Sequence, residues 1–431
     1  MLIQFSVSNY KTFKDKAALS MVATSDNTCE EDNVIEVPKF KLRLLKSAVL
    51  YGANASGKSN FYDALAFMKY FVYNSSKNSQ RNENIDVDCF RLNSDTINKP
   101  SEFEIIFIAD ETKYRYGFGT TKQKIISEWL YRKANTKETE VFYREGQDFR
   151  HHENFKTADI LVKEKLIREN ALLLSVANQF NDKYTMPVFN WFVENLRAVS
   201  GLDDRGHIDF TVSRIDKNEE KQKLLNLLKY ADFGIDDIRQ KTAEADEWIE
   251  ELKISKAIKE ILKKETVKGK YITDILTTHK VFNNDFISAE NTEFSLENDE
   301  SSGTQKFFSI SGPIIHSLEN GYTLFADELD SKLHPNLTCR LISLFNFRKT
   351  NPKGAQLIFN THDTNLLKSK LFRRDQVWFT EKDRYGAAHL YSLADFKTNI
   401  VRKNDNWKEK YIQGRFGAVP YLGDFDDLFG K

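Results

Sequence analysis

Cysteine is nearly absent from these 431 residues: Cys29, Cys89 and Cys339 stand apart and are odd in number. No CxxC pair or Cys/His ligand spacing occurs, so neither a zinc site nor a disulfide framework is supported. Glycine (18) and proline (7) are scarce, which argues against long disordered linkers. An excess of one charge is missing too, with 63 Lys+Arg against 63 Asp+Glu. That balance argues against a strongly basic nucleic-acid binder and gives no indication of DNA, although a local basic patch is compatible with it. No stretch approaches 18 apolar residues, and Met1 to Tyr10 lacks a basic region followed by an apolar run. Neither a membrane span nor a signal peptide is expected, and the expected setting is reducing and cytoplasmic.

What is present suits a packed protein. Hydrophobic residues make up 40% and charged residues 29%, and phenylalanine is over-used at 33. The length allows one large α/β domain with an insertion, or two domains of ordinary size. Leu2 to Val7 alternates apolar and polar as a strand does, and Leu44 to Tyr51 reads as a buried central strand ended by Gly52. From Ser59, Phe61, Ala64, Leu65, Met68 and Phe71 recur at helical spacing. Phe103 to Ile108 and Tyr114 to Phe118 read as strands. Ile160 to Gln179, Met186 to Val199, Glu219 to Tyr230 and Glu247 to Lys264 carry helical spacing without sustained heptads. Strand signals return at Tyr322 to Ala326 and Gln356 to Asn360, while Asn27 to Asn33 and Asn74 to Asn84 read as polar loops. The expected fold class is therefore α/β, with a P-loop head in two parts, 1–154 and 286–431, around a mostly helical insertion at 155–285.

Four segments carry chemistry. Gly52-Ala53-Asn54-Ala55-Ser56-Gly57-Lys58-Ser59, followed by Asn60, fits G-x-x-x-x-G-K-[ST] between a strand and a helix. The glycines let backbone N–H groups turn toward phosphate oxygens at the positive end of the helix. Lys58 is placed to reach the terminal phosphates of ATP, and Ser59 to ligand Mg²⁺. A chance glycine turn is the plain alternative, and the flanking strand and helix disfavour it. The apolar strand Tyr322 to Ala326 ends in Asp327-Glu328; the first acid suits Mg²⁺ and the second an attacking water. Without the P-loop, a solvated strand end would be the better reading. Ser301-Ser302-Gly303-Thr304-Gln305 opens a helix and offers backbone donors to an anion. Equally, it is a plain helix cap, with Ser302 capping and Gln305 completing a capping box. Leu357 to Asn360 is a strand whose polar hook, Thr361-His362-Asp363, presents His362.

Their order resembles the ABC ATPases of the SMC and recombination-repair type: Walker A at 52–59, a signature at 301–305, Walker B ending at Asp327-Glu328, and a switch histidine at His362. More closely the chain resembles the AAA-type ATPases of anti-phage defence modules, RloA-like or AriA-like. The opening Phe5-Ser6-Val7-Ser8-Asn9-Tyr10-Lys11-Thr12-Phe13, the Asp327 to Pro335 run and the near-terminal Gly414 to Tyr421 carry that resemblance. It implies a homo-oligomer in which Ser302 and Gly303 of one copy meet the γ-phosphate held by Lys58 of another. It further implies that Ser331 to His334 forms a loop at that interface, that His362 senses the γ-phosphate and that Glu328 is the general base. Thr304 departs from the usual second glycine and His334 from the usual acid. Gln123, Gln147 and Gln179 all remain candidates for a Q-loop glutamine, and Lys11 stands open between a nucleotide contact and a surface lysine.

The function expected is an ATP-hydrolysing sensor and scaffold that holds a separate effector, a toxin or nuclease, in anti-phage defence. A DNA-maintenance ATPase is the alternative, and would call for heptad arms or a basic face. A transporter subunit is disfavoured by the wide gap between Lys58 and Asp327. Three features are discounted: His151-His152 as a surface pair, the Lys256 to Lys270 run as a solvated helix face, and Asp424, Asp426 and Asp427 as a nuclease site.

Overall fold

The structure is a computed structural model, and it describes residues 1–77, 83–200, 204–244, 249–250, 255–256, 258–260, 271–286, 288–368, 371–397, 401 and 405–420. The discounted acids at 424–427 and most of the Lys256 to Lys270 run lie outside the described residues. The chain forms two compact units, one of residues 1–201, 316–330 and 338–431, the other of 202–315 and 331–337.

The first unit holds two sheets. One is antiparallel, with seven strands: β1 (Leu2–Ser8), β2 (Ala17–Ser20), β6 (Ser101–Ala109), β7 (Thr112–Thr120), β8 (Ile125–Lys133), β9 (Thr139–Glu145) and β10 (Asp148–His151), ordered β10-β9-β8-β7-β6-β1-β2. The other has six: β5 (Ser47–Tyr51), β11 (Leu196–Ser200), β15 (Thr323–Asp327), β16 (Gln356–Asn360), β17 (Val377–Lys382) and β18 (Ala388–Ser392), ordered β11-β15-β16-β5-β17-β18. All its pairings but β17–β18 are parallel. β5, β15 and β16 are buried at every residue, as parallel strands covered on both faces are, and so read as continuous apolar runs.

The helix Lys58–Asn74 packs between these sheets. Phe61 meets Phe5 and Phe13 at 5.3 and 5.8 Å on one side and Phe325 at 6.2 Å on the other. Each fully buried Phe contributes about 1.5–3 kcal/mol, so this helix start is anchored by side chains from both sheets. Gln356 clasps the sheets together: its amide accepts from Leu2 N at 2.6 Å and donates to Leu2 O and Leu45 O at 3.0 and 3.1 Å.

Several expectations are corrected. The single strand at 44–51 divides at buried Lys46, whose amine donates to Asn346 O at 2.9 Å, into β4 (Leu42–Leu45), which pairs with β3 (Val34–Val37), and β5. The polar loop at 27–33 contains a short helix, Glu30–Asn33. The residues from 155 to 201 form part of the first unit. Phe155, Leu161, Leu172 to Leu174, Trp191 and Phe192 belong to its core, and β11 pairs with β15. Helical spacing over short helices with one side in the core (Lys156–Lys163, Leu173–Asn178, Met186–Asn190) looks the same in sequence as an exposed helical arm.

The second unit contains the helix Asn218–Tyr230 and an antiparallel sheet of β12 (Asp237–Glu244), β13 (Tyr271–Phe282) and β14 (Ser288–Ser295). Its described residues are therefore mixed rather than mostly helical, and most of the expected helix at 247–264 lies outside them. β-Branched Thr273, Ile275, Thr277, Thr278 and Val281 account for the longest of these strands.

Candidate functional site

Residues 52–57 turn from the end of β5 into the helix that begins at Lys58. A Cβ on Gly52 would lie 2.4 Å from Ser56 Oγ and 2.5 Å from Thr380 O, so only glycine fits. Ala55 (φ 60°) and Gly57 (φ 117°) adopt left-handed backbone, the conformation that turns successive N–H groups inward. Ser56 Oγ and Thr380 Oγ1, 2.7 Å apart, pin the loop to β17.

Lys58 is buried, and its ammonium donates to Gly52 O and Ala53 O at 2.8 and 3.1 Å. Burial pushes its pKa from 10.5 down to about 8, against the pull of Asp327, Glu328 and Asp330. Ser59, Asn54 and Ala55 are exposed, and Asn60 Nδ2 donates to Thr12 Oγ1 at 3.0 Å. Thr12 thus brings the turn after β1 against the loop, while Lys11 pairs with Asp63 on the same helix at 2.5 Å.

The acids are held by the end of the neighbouring strand. Asn360 Nδ2 donates to Asp327 Oδ1, and Asn360 Oδ1 accepts from Glu328 N at 2.6 Å. Thr361 Oγ1 donates to Asp330 at 2.7 Å. Glu328 itself sits in left-handed backbone (φ 50°), a conformation that costs a non-glycine residue on the order of 1–3 kcal/mol and recurs at functional sites. His362 is exposed; partial burial and then the Lys58 ammonium hold its imidazole below the ordinary pKa, while Asp330, Glu328 and Asp327 oppose them. Tyr51, at the end of β5, donates to Asp363 O at 3.0 Å and so ties the histidine hook to the loop strand. Lys58, Asp327, Glu328 and His362 therefore share one electrostatic neighbourhood.

Ser301, Ser302 and Gly303 belong to the second unit, at the start of the helix Ser302–Asn320. The cap is Ser301, one residue earlier than expected: its Oγ accepts from Thr304 N at 3.1 Å. Gln305 completes no capping box; its amide donates to Glu297 O and Glu300 O at 3.1 and 3.0 Å. A Cβ on Gly303 would lie 3.0 Å from Lys332 O, so the 331–334 loop rests on this helix start within the same unit. His334 Nδ1 accepts from Asn336 N at 3.2 Å and so caps the helix Pro335–Asn346, a bond that an acid could make in its place.

Sequence reading passed over Thr380, Asn360 and Tyr411, the last of which lies with its ring 5.6 Å from that of Tyr51. Among them only Asn360 left a signal, as a polar residue ending the apolar run Leu357 to Phe359. Gln123 and Gln147 lie in turns of the antiparallel sheet, and Gln179 donates to Ser76 Oγ at 3.1 Å. His151 pairs with Asp159 at 3.5 Å.

A family model described as "AAA domain, putative AbiEii toxin, Type IV TA system" matches residues 47–368. No curated protein matches the chain. Among solved structures, it is similar to an SMC head bound to the C-winged helix domain of ScpA: 12% identity, 91% of this chain and 97% of the other, TM-score 0.43. The SMC head domain from Thermotoga maritima is 12% identical over 91% and 98% of the two chains, with TM-score 0.40. The recombination mediator protein RecF with ATPrS, in the RecFOR pathway, is 15% identical over 90% and 98%, with TM-score 0.35.

Proposed function

The chain belongs to the AAA-domain family described as a putative AbiEii toxin of type IV toxin–antitoxin systems, and from that premise we propose that it is an ABC-type ATPase. The observation that carries this reading is the convergence of Lys58, Asp327, Glu328 and His362 on one P-loop. The left-handed loop backbone and the helix start bind phosphate, and the Lys58 ammonium exchanges its two carbonyl partners for phosphate oxygens. Glu328, fixed through its own N–H to Asn360, orients and deprotonates the attacking water. His362, on the hook held by Tyr51, reads the γ-phosphate. Mg²⁺ fits the oxygen-only pair of the exposed Ser59 hydroxyl and the Asp327 carboxylate, where it would neutralise charge on the phosphates.

Ser301, Ser302 and Gly303 complete the site of a second copy in this reading, so the working form is a homo-oligomer. Motif resemblance and the family's toxin–antitoxin description support a role as sensor and scaffold for a separate effector in anti-phage defence. The test is ATP turnover and ATP-dependent assembly by the full chain. Lys58→Ala should bind no ATP, and Glu328→Gln should bind it, turn it over slowly and accumulate as an assembly on gel filtration. No ATP binding by the wild-type chain would remove the ATPase reading, and unimpaired hydrolysis by Lys58→Ala would place the chemistry away from this P-loop. Failure of the chain to co-purify with the product of an adjacent gene would remove the effector.

A further inference from the structure

The residue ahead of the Ser301 cap is fixed by groups that the ATP chemistry leaves unused. In the second unit the chain leaves β14 at Ser295 and turns back at once. Ser295 O accepts from Asp299 N and Glu300 N at 2.9 and 3.2 Å, and Ser295 N donates to Asp299 Oδ2 at 2.8 Å. Ser295 Oγ ties the turn to β13 through Asp274 Oδ1 at 3.1 Å. Glu300 closes it. One oxygen of its carboxylate, Oε1, accepts from Thr277 Oγ1 at 2.6 Å and from His279 Nε2 at 2.7 Å, while its backbone carbonyl accepts from Gln305 Nε2 at 3.0 Å. An ionised carboxylate only accepts, so the hydroxyl gives its proton and the imidazole presents Nε2–H. Thr277 and His279 stand two residues apart on the central strand of the sheet and so project from one face. Thr277 is buried, and the imidazole packs 4.8 Å from the Phe294 ring.

We infer that Thr277 and His279 are positioning residues for the Ser301–Gly303 turn, through which the β12–β14 sheet sets how well one copy completes the ATP site of another. This rests on the ATPase reading and on its second-copy contact. Hydrogen bonds to a charged group are the stronger kind, and two of them from one strand face hold the Glu300 carboxylate in a single place. Ser301 follows directly, and its Oγ is in turn fixed to Thr304 N and Thr304 Oγ1 at 3.1 and 2.9 Å. An unbroken line of bonds therefore runs from β13 through Glu300 to the helix start that offers its N–H groups to an anion. Loss of either donor leaves the carboxylate held from one side only, and a displacement of about 1 Å at such a contact costs on the order of 100-fold in rate. The P-loop belongs to the first unit and shares no residue with this frame, so nucleotide capture by a lone copy should not depend on it.

The experiment uses the full chain. ATP Kd is measured by equilibrium binding below the protein concentration at which assembly begins, kcat by phosphate release, and ATP-dependent assembly by sedimentation velocity with Glu328→Gln present to slow turnover. Thr277→Val and His279→Leu each remove one donor. Each should leave the ATP Kd within about twofold, raise the protein concentration for half-assembly about 5- to 50-fold and lower kcat in step. Thr277→Ser keeps the hydroxyl, and His279→Gln places an amide N–H where Nε2 stands; both should restore assembly to within about threefold of the parent. The His279 pair decides if the buried Thr277→Val fails to fold. Assembly at the parent concentration in His279→Leu overturns the inference, as does an equal loss in His279→Leu and His279→Gln, which would make the strand merely structural. Parent protein that binds ATP but never assembles with it overturns the second-copy contact and this inference together. If the parent assembles and the donor-less variants assemble as it does, only the inference falls.

Discussion

Two clusters of buried charge lie in the first unit, and they close differently. In the antiparallel sheet, Glu128 accepts from Leu173 N, Leu174 N and the Tyr116 hydroxyl at 2.7, 3.0 and 3.0 Å. Arg144, 3.7 Å from that carboxylate, donates to Ala171 O and Gly146 O at 2.6 and 2.8 Å. Both side chains are wholly buried, and their hydrogen-bonding capacity is spent inside the protein. At the P-loop, Lys58 is buried to a similar degree, but its partners are the carbonyls of the loop itself, beside exposed Ser59 and His362. The lesson is that burial of charge does not mark a functional site. What distinguishes the two is whether a ligand could replace the partners.

Substitutions can break that comparison. The largest effect is expected from Glu328→Gln, with ATP turnover reduced about 10²- to 10⁴-fold and unfolding free energy nearly unchanged. A parallel loss of stability in denaturant titration would make the carboxylate structural. Next, Arg144→Met leaves Glu128 buried without its cation and should cost about 3–5 kcal/mol of stability. A loss below about 1 kcal/mol would show that the Glu128 pair is as replaceable as the Lys58 contacts.

A pH titration sharpens the contrast further. Lys58 has a folded pKa of about 8 against 10.5, so between those values the unfolded chain binds more protons. Stability of the nucleotide-free protein should therefore rise with pH across that window, by up to about 1.4 kcal/mol per unit. Nucleotide binding needs the ammonium, so ATP affinity should fall across the same window, up to about tenfold per unit. Two curves of the same sign would show that Lys58 is not the titrating group. The smallest change is Ser301→Ala, which removes a cap and should cost about 1 kcal/mol without nucleotide; no change in melting would return the cap to Ser302.

The legible parts of the site are those where chemistry dictates spacing. Gly52 to Ser59 and the all-apolar strands before Gly52 and Glu328 could be read locally, since each signal spans fewer than ten residues. The Ser301 cap was misread by one position because either serine satisfies the local pattern, and only the distance to Thr304 N separates them. Gln356, Thr380 and Tyr411 were illegible for a different reason. Their partners, Leu2, Ser56 and the Tyr51 ring, lie more than 300 residues away, and a side chain in the core carries no mark of its distant partner. β17 and β18 leave no strand signal of the kind that β5 and β16 in the same sheet do. Glu381, Lys382 and His389 interrupt the apolar run that identifies a central parallel strand.

The position of β5 between β16 and β17 also sets a timetable for synthesis. The loop strand leaves the ribosome roughly 300 residues before either neighbour exists. At about 5–20 residues per second, Ser47 to Tyr51 waits on the order of 15–60 s with both edges unpaired. A mostly apolar strand left open for that long is a template for wrong pairing. Its protection during that interval must come from the helix Lys58–Asn74 and the antiparallel sheet, the parts of the core already made.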